Sequence, residues 1–400
     1  MCPDVDVPPP SPSSIRLGVV VYSPAIEGTQ RINVDGFIER WRSIIDAIET
    51  DHEVRLFCLV PGGTTRPPPW LSDRSCAHIE LTARPGTRRD RVERLVRRLG
   101  GARPGTKAER ELRDAIAAGG CSAAVMFTHR NLDLARTISH AIPTIQFVEE
   151  FVPEGVEGWG IAPGLLGRLE SATLKLALRK VRRFVVISPN ERAWASAEFG
   201  PRVTVVPHSI DAGYWTAADT SANTAPLVSA DEAFVIGNFG AERNALGLRD
   251  VLGVLADDPS VRSRIVLASG TPPHPVLADA APEVLRFVGA VDDPRPYYRD
   301  ARVTFVPSKT VQGVKTTILQ AWAAGCAVVA TPASAASVGA VDGFDVLVGD
   351  TPRELAAAVR RVLDSDELRR RLATSGRATL EGRFGAHAVK QAVDALLRTL

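Results

Sequence analysis

Residues Gln312 to Pro332, QGVKTTILQAWAAGCAVVATP, restrict the fold more than any other stretch. Gly313 gives a tight turn its backbone freedom. A helix capped by Thr316 or Thr317 then runs to about Ala324, and Gly325 stops it. Ala327 to Ala330 follows as a short apolar run, the pattern of a parallel strand buried on both faces. Such a strand needs helices on both sides of its sheet, which is the layering of an α/β domain. Lys315 is out of place in a purely structural helix. It stands where the helix dipole is positive and an acid would be favoured. An anion held by the free N–H groups accounts for it; the plainer alternative is a lysine extended into water.

The same grammar recurs along the chain in two series. In the first, Ile15 to Tyr22, Val54 to Val60, Ala123 to Thr128, Pro143 to Val148, Phe184 to Ile187 and Val203 to Pro207 read as strands. Helical spacing appears over Val34 to Ile48, Leu165 to Lys180 and Glu191 to Phe199, and a glycine-rich loop over Gly155 to Gly164. Thr216 to Asp231, rich in Ala, Thr, Ser, Asp and Asn, reads as a linker. In the second series the strands are FVI, RIVLAS, VLRFVG, RVTFVP, AVVA and DVLVG, and Pro352 to Leu363, Asp366 to Gly376 and Ala386 to Leu400 are helical. The expected architecture is α/β with two doubly wound, Rossmann-like domains facing across a cleft. The boundaries are a disordered tail at 1–14, an N-terminal domain at 15–210, a linker at 211–231, a C-terminal domain at 232–383, and a last helix at 384–400.

Composition narrows the functional classes. The 400 residues hold 45% apolar and 24% charged side chains with a net charge of +2, which gives no global argument for nucleic acid. Five dispersed cysteines with no CxxC pair indicate neither a zinc site nor a disulfide framework, and Cys326 reads as a small buried hydrophobe. The start, MCPDVDVPPPSPSS, carries Asp4 and Asp6 where a signal peptide needs positive charge. With no apolar run of membrane-spanning length, the expected location is the cytoplasm. The basic stretch from Arg84 to Gly120 reads first as two solvated amphipathic helices. The alternative is a basic face, over 84–113, for a phosphorylated or membrane-bound acceptor.

Several catalytic signatures are missing: G-x-G-x-x-G, a Walker A loop, HExxH and GxSxG. The two DxD matches, Asp4-Val-Asp6 and Asp364-Ser-Asp366, end no nucleotide-binding strand, so no carboxylate-held metal is expected. What remains is a set of cations and glycines at strand-to-helix turns. Arg243 lies in the loop after strand FVI and Lys315 at the helix described above. Both suit a diphosphate. His129, Arg130, Glu149 and Glu150 end strands of the first series, where α/β proteins keep their ligands. His129 has the chemistry to bond a sugar or relay a proton, or is simply a structural histidine.

Four ordered motifs carry a family resemblance over roughly Arg182 to Phe384. They are VISPNERAWASAEFGPRVTVVPHSID, GNFGAERNALGL, LRFVGAVDDPRPYYRDARVTFVPS and the opening stretch. Together they resemble the GT-B glycosyltransferases, closest to the retaining family 4 group (glycosyl transferases group 1). In the first motif Pro207 and Asp211 match, while His208-Ser209 replaces Asn-Gly. In the second, Gly237 matches, Asn238 stands where many members have Arg, and Arg243 where many have Lys. The family's E-x7-E pair, which holds the donor ribose, is here Gln312 and Gln320. A carboxylate accepts from two hydroxyls at once, whereas an amide offers one acceptor and a donor.

The resemblance implies transfer of a sugar from a UDP- or GDP-linked donor to a hydroxyl or amine, with retention, no metal and no cofactor beyond the donor. The N-terminal domain would take a small-molecule, lipid or glycan acceptor, and the last helix, 384–400, would cross back onto it. Arg243, Lys315 and the N–H groups near Gly313 would stabilise charge on the leaving diphosphate, with His129 as the further catalytic candidate. Gly28, Asn238, Val314 and Thr316 would approach the donor, Val288 and Gly289 the base, and Gln320 the ribose. Arg130, Glu149 and Glu150 would face the acceptor. Two alternatives stand beside this reading: a degenerate GT-B protein that binds a sugar nucleotide or partner without turnover, and a GT-B nucleotide-sugar epimerase.

Overall fold

The structure is a computed structural model that describes residues 14–22, 36–61, 74–81, 107–127, 138–148, 179, 181–216, 228–229, 232–257, 265–277, 284–308 and 313–400. The chain divides into two compact units. One comprises 1–187, 191–206 and 389–400, the other 188–190 and 207–388. Each is built on a parallel sheet with helices on both faces, the α/β architecture expected from the sequence.

In the first unit the strands are β1 (Arg16–Tyr22), β2 (Glu53–Pro61), β3 (Cys76–Leu81), β4 (Ala123–Met126), β5 (Thr144–Phe147), β6 (Arg183–Val186) and β7 (Val203–Val205). They pair in the order β3-β2-β1-β4-β5-β6-β7. The sequence reading contains no counterpart of β3. Among the described residues its stretch, CAHIEL, pairs with β2 alone, and a strand at a sheet margin tolerates polar residues that weaken the apolar signal.

Alternation along β1 shows why both faces need cover. Leu17, Val19 and Val21 pack with Trp41, Ile44, Ile45 and Ile48 of α1 (Gly36–Glu49). Val20 instead faces Leu112 and Ile116 of α2 (Lys107–Ala118), and Ala195 and Phe199 of α3 (Pro189–Phe199). The same Leu112 and Ile116 spacing is visible in the sequence. Leu95 and Leu99, and the helix read over Leu165 to Lys180, lie outside the described residues.

The second unit begins with α4 (Ala212–Thr216) and β8 (Ala233–Ile236), then α5 (Glu242–Ala256), β9 (Ile265–Ala268), β10 (Leu285–Gly289), α6 (Arg295–Asp300) and β11 (Val303–Val306). It continues with α7 (Thr316–Ala323), β12 (Ala327–Ala330), α8 (Pro332–Val338), β13 (Leu347–Val348), α9 (Pro352–Asp364) and α10 (Asp366–Phe384). Each strand read from the sequence in this half has its counterpart here. The helix read to Gly376 continues to Phe384, because Leu380 and Phe384 extend its buried stripe.

Close packing fixes this unit's second layer. Trp322 of α7 is fully buried and its indole N–H donates to Asp345 O at 3.0 Å. A Cβ on Gly376 of α10 would stand 2.2 Å from Trp322 Cδ1, so only glycine lets the two helices approach this far.

The last helix, α11 (Ala386–Leu397), leaves the second unit and its residues from Val389 onward belong to the first. Val389, Val393, Leu396 and Leu397 are buried against β1 and α1. Each such side chain contributes on the order of 1.5–3 kcal/mol when fully buried. Lys390 adds an ion pair to Asp51 and one of 2.7 Å to Asp394. No helix among the described residues is long and apolar enough to cross a membrane.

Candidate functional site

The second sheet has the strand order β10-β9-β8-β11-β12-β13. The chain therefore leaves β8 toward one edge, builds β9 and β10, and returns to place β11 on the other side of β8. Between the carboxyl ends of β8 and β11 the connections diverge, which opens the crevice where doubly wound sheets bind ligands.

The loop after β8 is tied down by its neighbours. Phe239 N donates to Ser269 Oγ at 3.3 Å, His274 N to Phe239 O at 2.8 Å, and Thr271 Oγ1 to Asn238 Oδ1 at 3.1 Å. Asn244 Nδ2 donates to Asn238 O at 2.8 Å. Ser269 N reaches across to Gly289 O at 3.0 Å, which joins the exits of β9 and β10. Gly240 is required by closeness, since a Cβ there would lie 2.5 Å from Thr271 Oγ1. Gly247 has the same role on α5, where a Cβ would meet Pro307 O at 2.6 Å. Helix α5 thus lies directly against the exit of β11.

The helix starts at this crevice share a property. Ala241 is the N-cap of α5 and Lys315 that of α7, and neither helix has a side-chain cap bond. Helix α7 also has no acid in its first turn. Thr316 and Thr317, read as caps from the sequence, are instead the first two helical residues. The backbone of Lys315 is positioned from outside its helix by Ser337 Oγ, which accepts from its N–H at 3.1 Å. Ser337 Oγ donates in turn to Ser334 O at 2.7 Å.

The structure brings several sequence candidates together around this crevice. Asn238 is exposed on the β8 loop, Gly313 has φ 64°, Lys315 and Thr316 open α7, and Val314 packs partly buried against the core beneath. Arg243 falls within the first turn of α5, so the loop placement is corrected: the helix begins earlier, at Glu242. Val288 and Gly289 end β10, with Gly289 at φ 78°. Gln320 is only 5% exposed, and its Oε1 accepts from Tyr298 Oη at 3.4 Å. Gly28, His129, Arg130, Glu149, Glu150 and Gln312 lie outside the described residues.

Sequence reasoning passed over Tyr298 and Ser337. Tyr298 is fully buried, its phenol pushed well above the usual range by loss of solvent. Its only signal was the YY pair within the third motif. Cys326 is also deep in the core, where burial pushes its thiol up to about 12, so it is an unreactive hydrophobe as its strand position implied.

A family model, glycosyl transferases group 1, matches residues 232–365. These residues are similar to a glycosyl transferases group 1 domain.

A curated relative, the lipopolysaccharide core biosynthesis glycosyltransferase LpsE of Rhizobium meliloti (strain 1021), is 34% identical over 116 residues. That match covers 28% of this chain and spans about a third of the relative's length, 34%. Solved structures match the chain almost throughout. A sucrose-phosphate synthase from Thermosynechococcus elongatus has a TM-score of 0.71 at 17% identity, covering 96% of this chain and 98% of that one. Anabaena HepE in complex with UDP has a TM-score of 0.68 at 11% identity, covering 96% and 100%. A trehalose-phosphate synthase (UDP-forming) from Burkholderia vietnamiensis has a TM-score of 0.66 at 13% identity, covering 96% and 100%. At these identities the shared property is the fold, and residues 232–365 keep the switch-point crevice within it.

Proposed function

We propose that this protein transfers a sugar from a nucleoside-diphosphate donor, UDP- or GDP-linked, to a hydroxyl or amine acceptor, with retention and without a metal. The observation that carries this reading is the pair of uncapped helix starts, α5 and α7, at one switch-point crevice with Lys315 at the second. Backbone N–H groups and a cation converging there suit a diphosphate. The group 1 domain match and the named UDP complex of HepE support the same assignment.

The chemical difficulty is charge growing on the departing diphosphate. Preorganised donors aimed at that charge lower the barrier because they need not reorient as it develops. Lys315 and Arg243 supply positive charge, and the first N–H groups of α5 and α7 supply oriented dipoles. Asn238 and Gly28 approach the donor, while Val288 and Gly289 take the base. His129 bonds the donor sugar or relays its proton. Residues 15–210 take the acceptor, with Arg130, Glu149 and Glu150 facing it; a lipid or glycan acceptor fits the name of the LpsE relative. The cytoplasm is the proposed location.

The test is release of UDP or GDP from a panel of sugar donors offered with sugar and lipid-linked acceptors, with and without EDTA. Turnover that survives EDTA is expected. Loss restored by manganese would overturn the metal-free mechanism. A second reading, binding without turnover, is favoured by the amide at position 320; nucleotide binding with no release from any donor would establish it.

A further inference from the structure

A row of buried hydroxyls on α8 faces the connection between β11 and α7. Thr331, Ser334 and Ser337 recur every third residue from the N-cap of that helix, so they share one face. All of them are buried, Ser334 and Ser337 almost completely. The row meets the backbone at both described ends of the connection. At the β11 end, Ser308 O accepts from Ser334 Oγ at 2.9 Å, and Thr331 Oγ1 reaches the same carbonyl. At the α7 end, Ser337 Oγ accepts from Lys315 N at 3.1 Å. A hydroxyl has one proton, and that of Ser337 goes to Ser334 O at 2.7 Å. What Ser337 offers Lys315 is therefore a lone pair already oriented by its own helix.

Lys315 is a place where such a hold matters. Its backbone, at φ −79° and ψ 84°, is neither helical nor strand-like. Gly313, two residues earlier, has φ 64° and gives the chain freedom to swing. As the N-cap, Lys315 also precedes the hydrogen-bond ladder of α7, so that ladder does not fix its N–H. The Ser337 hydroxyl thus helps to set where the chain enters α7. With it goes the point from which the Lys315 side chain extends. We propose that Ser337 is a positioning residue for the transfer reaction: it holds the start of α7 so that Lys315 meets the charge growing on the departing diphosphate. This inference rests on the reaction proposed above. A donor that must first reorient loses much of its advantage at the transition state, so loosening Lys315 acts on kcat more than on donor binding.

The experiment compares Ser337→Ala with Ser365→Ala in the full chain. Ser365 caps α10 in the same unit by accepting from Leu368 N at 3.2 Å, so each variant loses one hydroxyl bond to a backbone N–H. Steady-state kinetics uses the donor from which the wild type releases UDP or GDP. Ser337→Ala is expected to lower kcat by about tenfold and to change donor KM by less than about twofold, with both constants unchanged in Ser365→Ala. Amide hydrogen exchange is the second readout. The Lys315 amide should exchange about tenfold faster or more in Ser337→Ala, and at the wild-type rate in Ser365→Ala. A kcat that falls no further in Ser337→Ala than in Ser365→Ala overturns the inference and leaves the proposed reaction standing. So does a rise in KM alone, or an unchanged exchange rate at Lys315. If the wild type releases neither nucleotide from any donor, the reaction itself fails and this inference fails with it. Should Ser337→Ala not fold, Ser337→Cys puts a weak acceptor in the same place; a lower kcat is expected there too, and an unchanged one overturns the inference.

Discussion

Two regions of the second unit differ in their helix starts, with α6 between them, where Asp293 Oδ1 accepts from Arg295 N at 2.9 Å. Toward β12 and β13 every start is capped: Thr331 accepts from Ser334 N in α8, Thr351 and Glu354 form a reciprocal capping box in α9, and Ser365 accepts from Leu368 N in α10. At the β8–β11 crevice, α5 begins at Ala241 and α7 at Lys315 with no side-chain cap. A cap contributes about 1 kcal/mol, so two missing caps forgo stability that the same unit takes up elsewhere. At these two starts the helix has no capping side chain at its N-cap, and at α7 it is Ser337, from another helix, that takes the Lys315 N–H. At α7 the choice of Lys, with no acid in the first turn, makes the opposition to the helix dipole explicit.

The sharpest way to break this comparison is to remove the cation. Lys315→Ala is expected to lower kcat by about 100-fold, the scale of one preorganised donor to developing charge, while donor KM rises much less. Steady-state kinetics with the active donor checks it, and an unchanged kcat would place the diphosphate elsewhere.

Capping the crevice comes next. Ala241→Asp offers α5 the cap it lacks, so the melting temperature should rise slightly while UDP or GDP affinity falls by about tenfold. Calorimetry and thermal melting on the same sample separate the two effects. A variant that gains stability with no loss of affinity would mean that the α5 N–H groups meet no ligand.

Packing sets the third effect. Gly376→Ala forces a methyl into Trp322 and should cost about 1–3 kcal/mol. For a unit of this size that lowers the melting temperature by roughly 5 °C. Because Trp322 belongs to α7, nucleotide binding should weaken with it; preserved binding at reduced stability would show that α7 holds its site independently of α10.

The smallest effect belongs to the capped region. Thr351→Ala should cost about 1 kcal/mol and leave kcat unchanged. The backbone N–H groups of Thr351 and Asp350 hold the Glu354 carboxyl below its usual range. A carboxyl depressed on folding contributes stability above its unfolded pKa, and that stability is lost as pH falls through the folded value. Thr351→Ala keeps both backbone donors, so the melting temperatures of wild type and variant should fall nearly in parallel between about pH 6 and 3.

Much of this was legible in the chain because its strands are short, apolar and buried on both faces, so each advertises itself locally. AVVA at 327–330 occupies the residues that periodicity predicts, and Gly325 takes the positive φ of 75° that a helix stop requires. The order of motifs pointed to a GT-B arrangement, and Arg243 and Lys315 stood out as cations at strand-to-helix turns. Strand β3 escaped because an edge strand need not be apolar, and the Arg243 placement erred by about one turn because nothing local marks the start of an uncapped helix.

Tertiary structure alone decided which turns share a crevice. Sequence order runs β8, β9, β10, β11, and only the return of β11 to the far side of β8 brings the two uncapped starts together. It also decided the role of position 320. An amide in a helix has two edges and no sequence rule chooses between them. Here Tyr298 Oη, twenty-two residues away along the chain, donates to the amide oxygen at 3.4 Å.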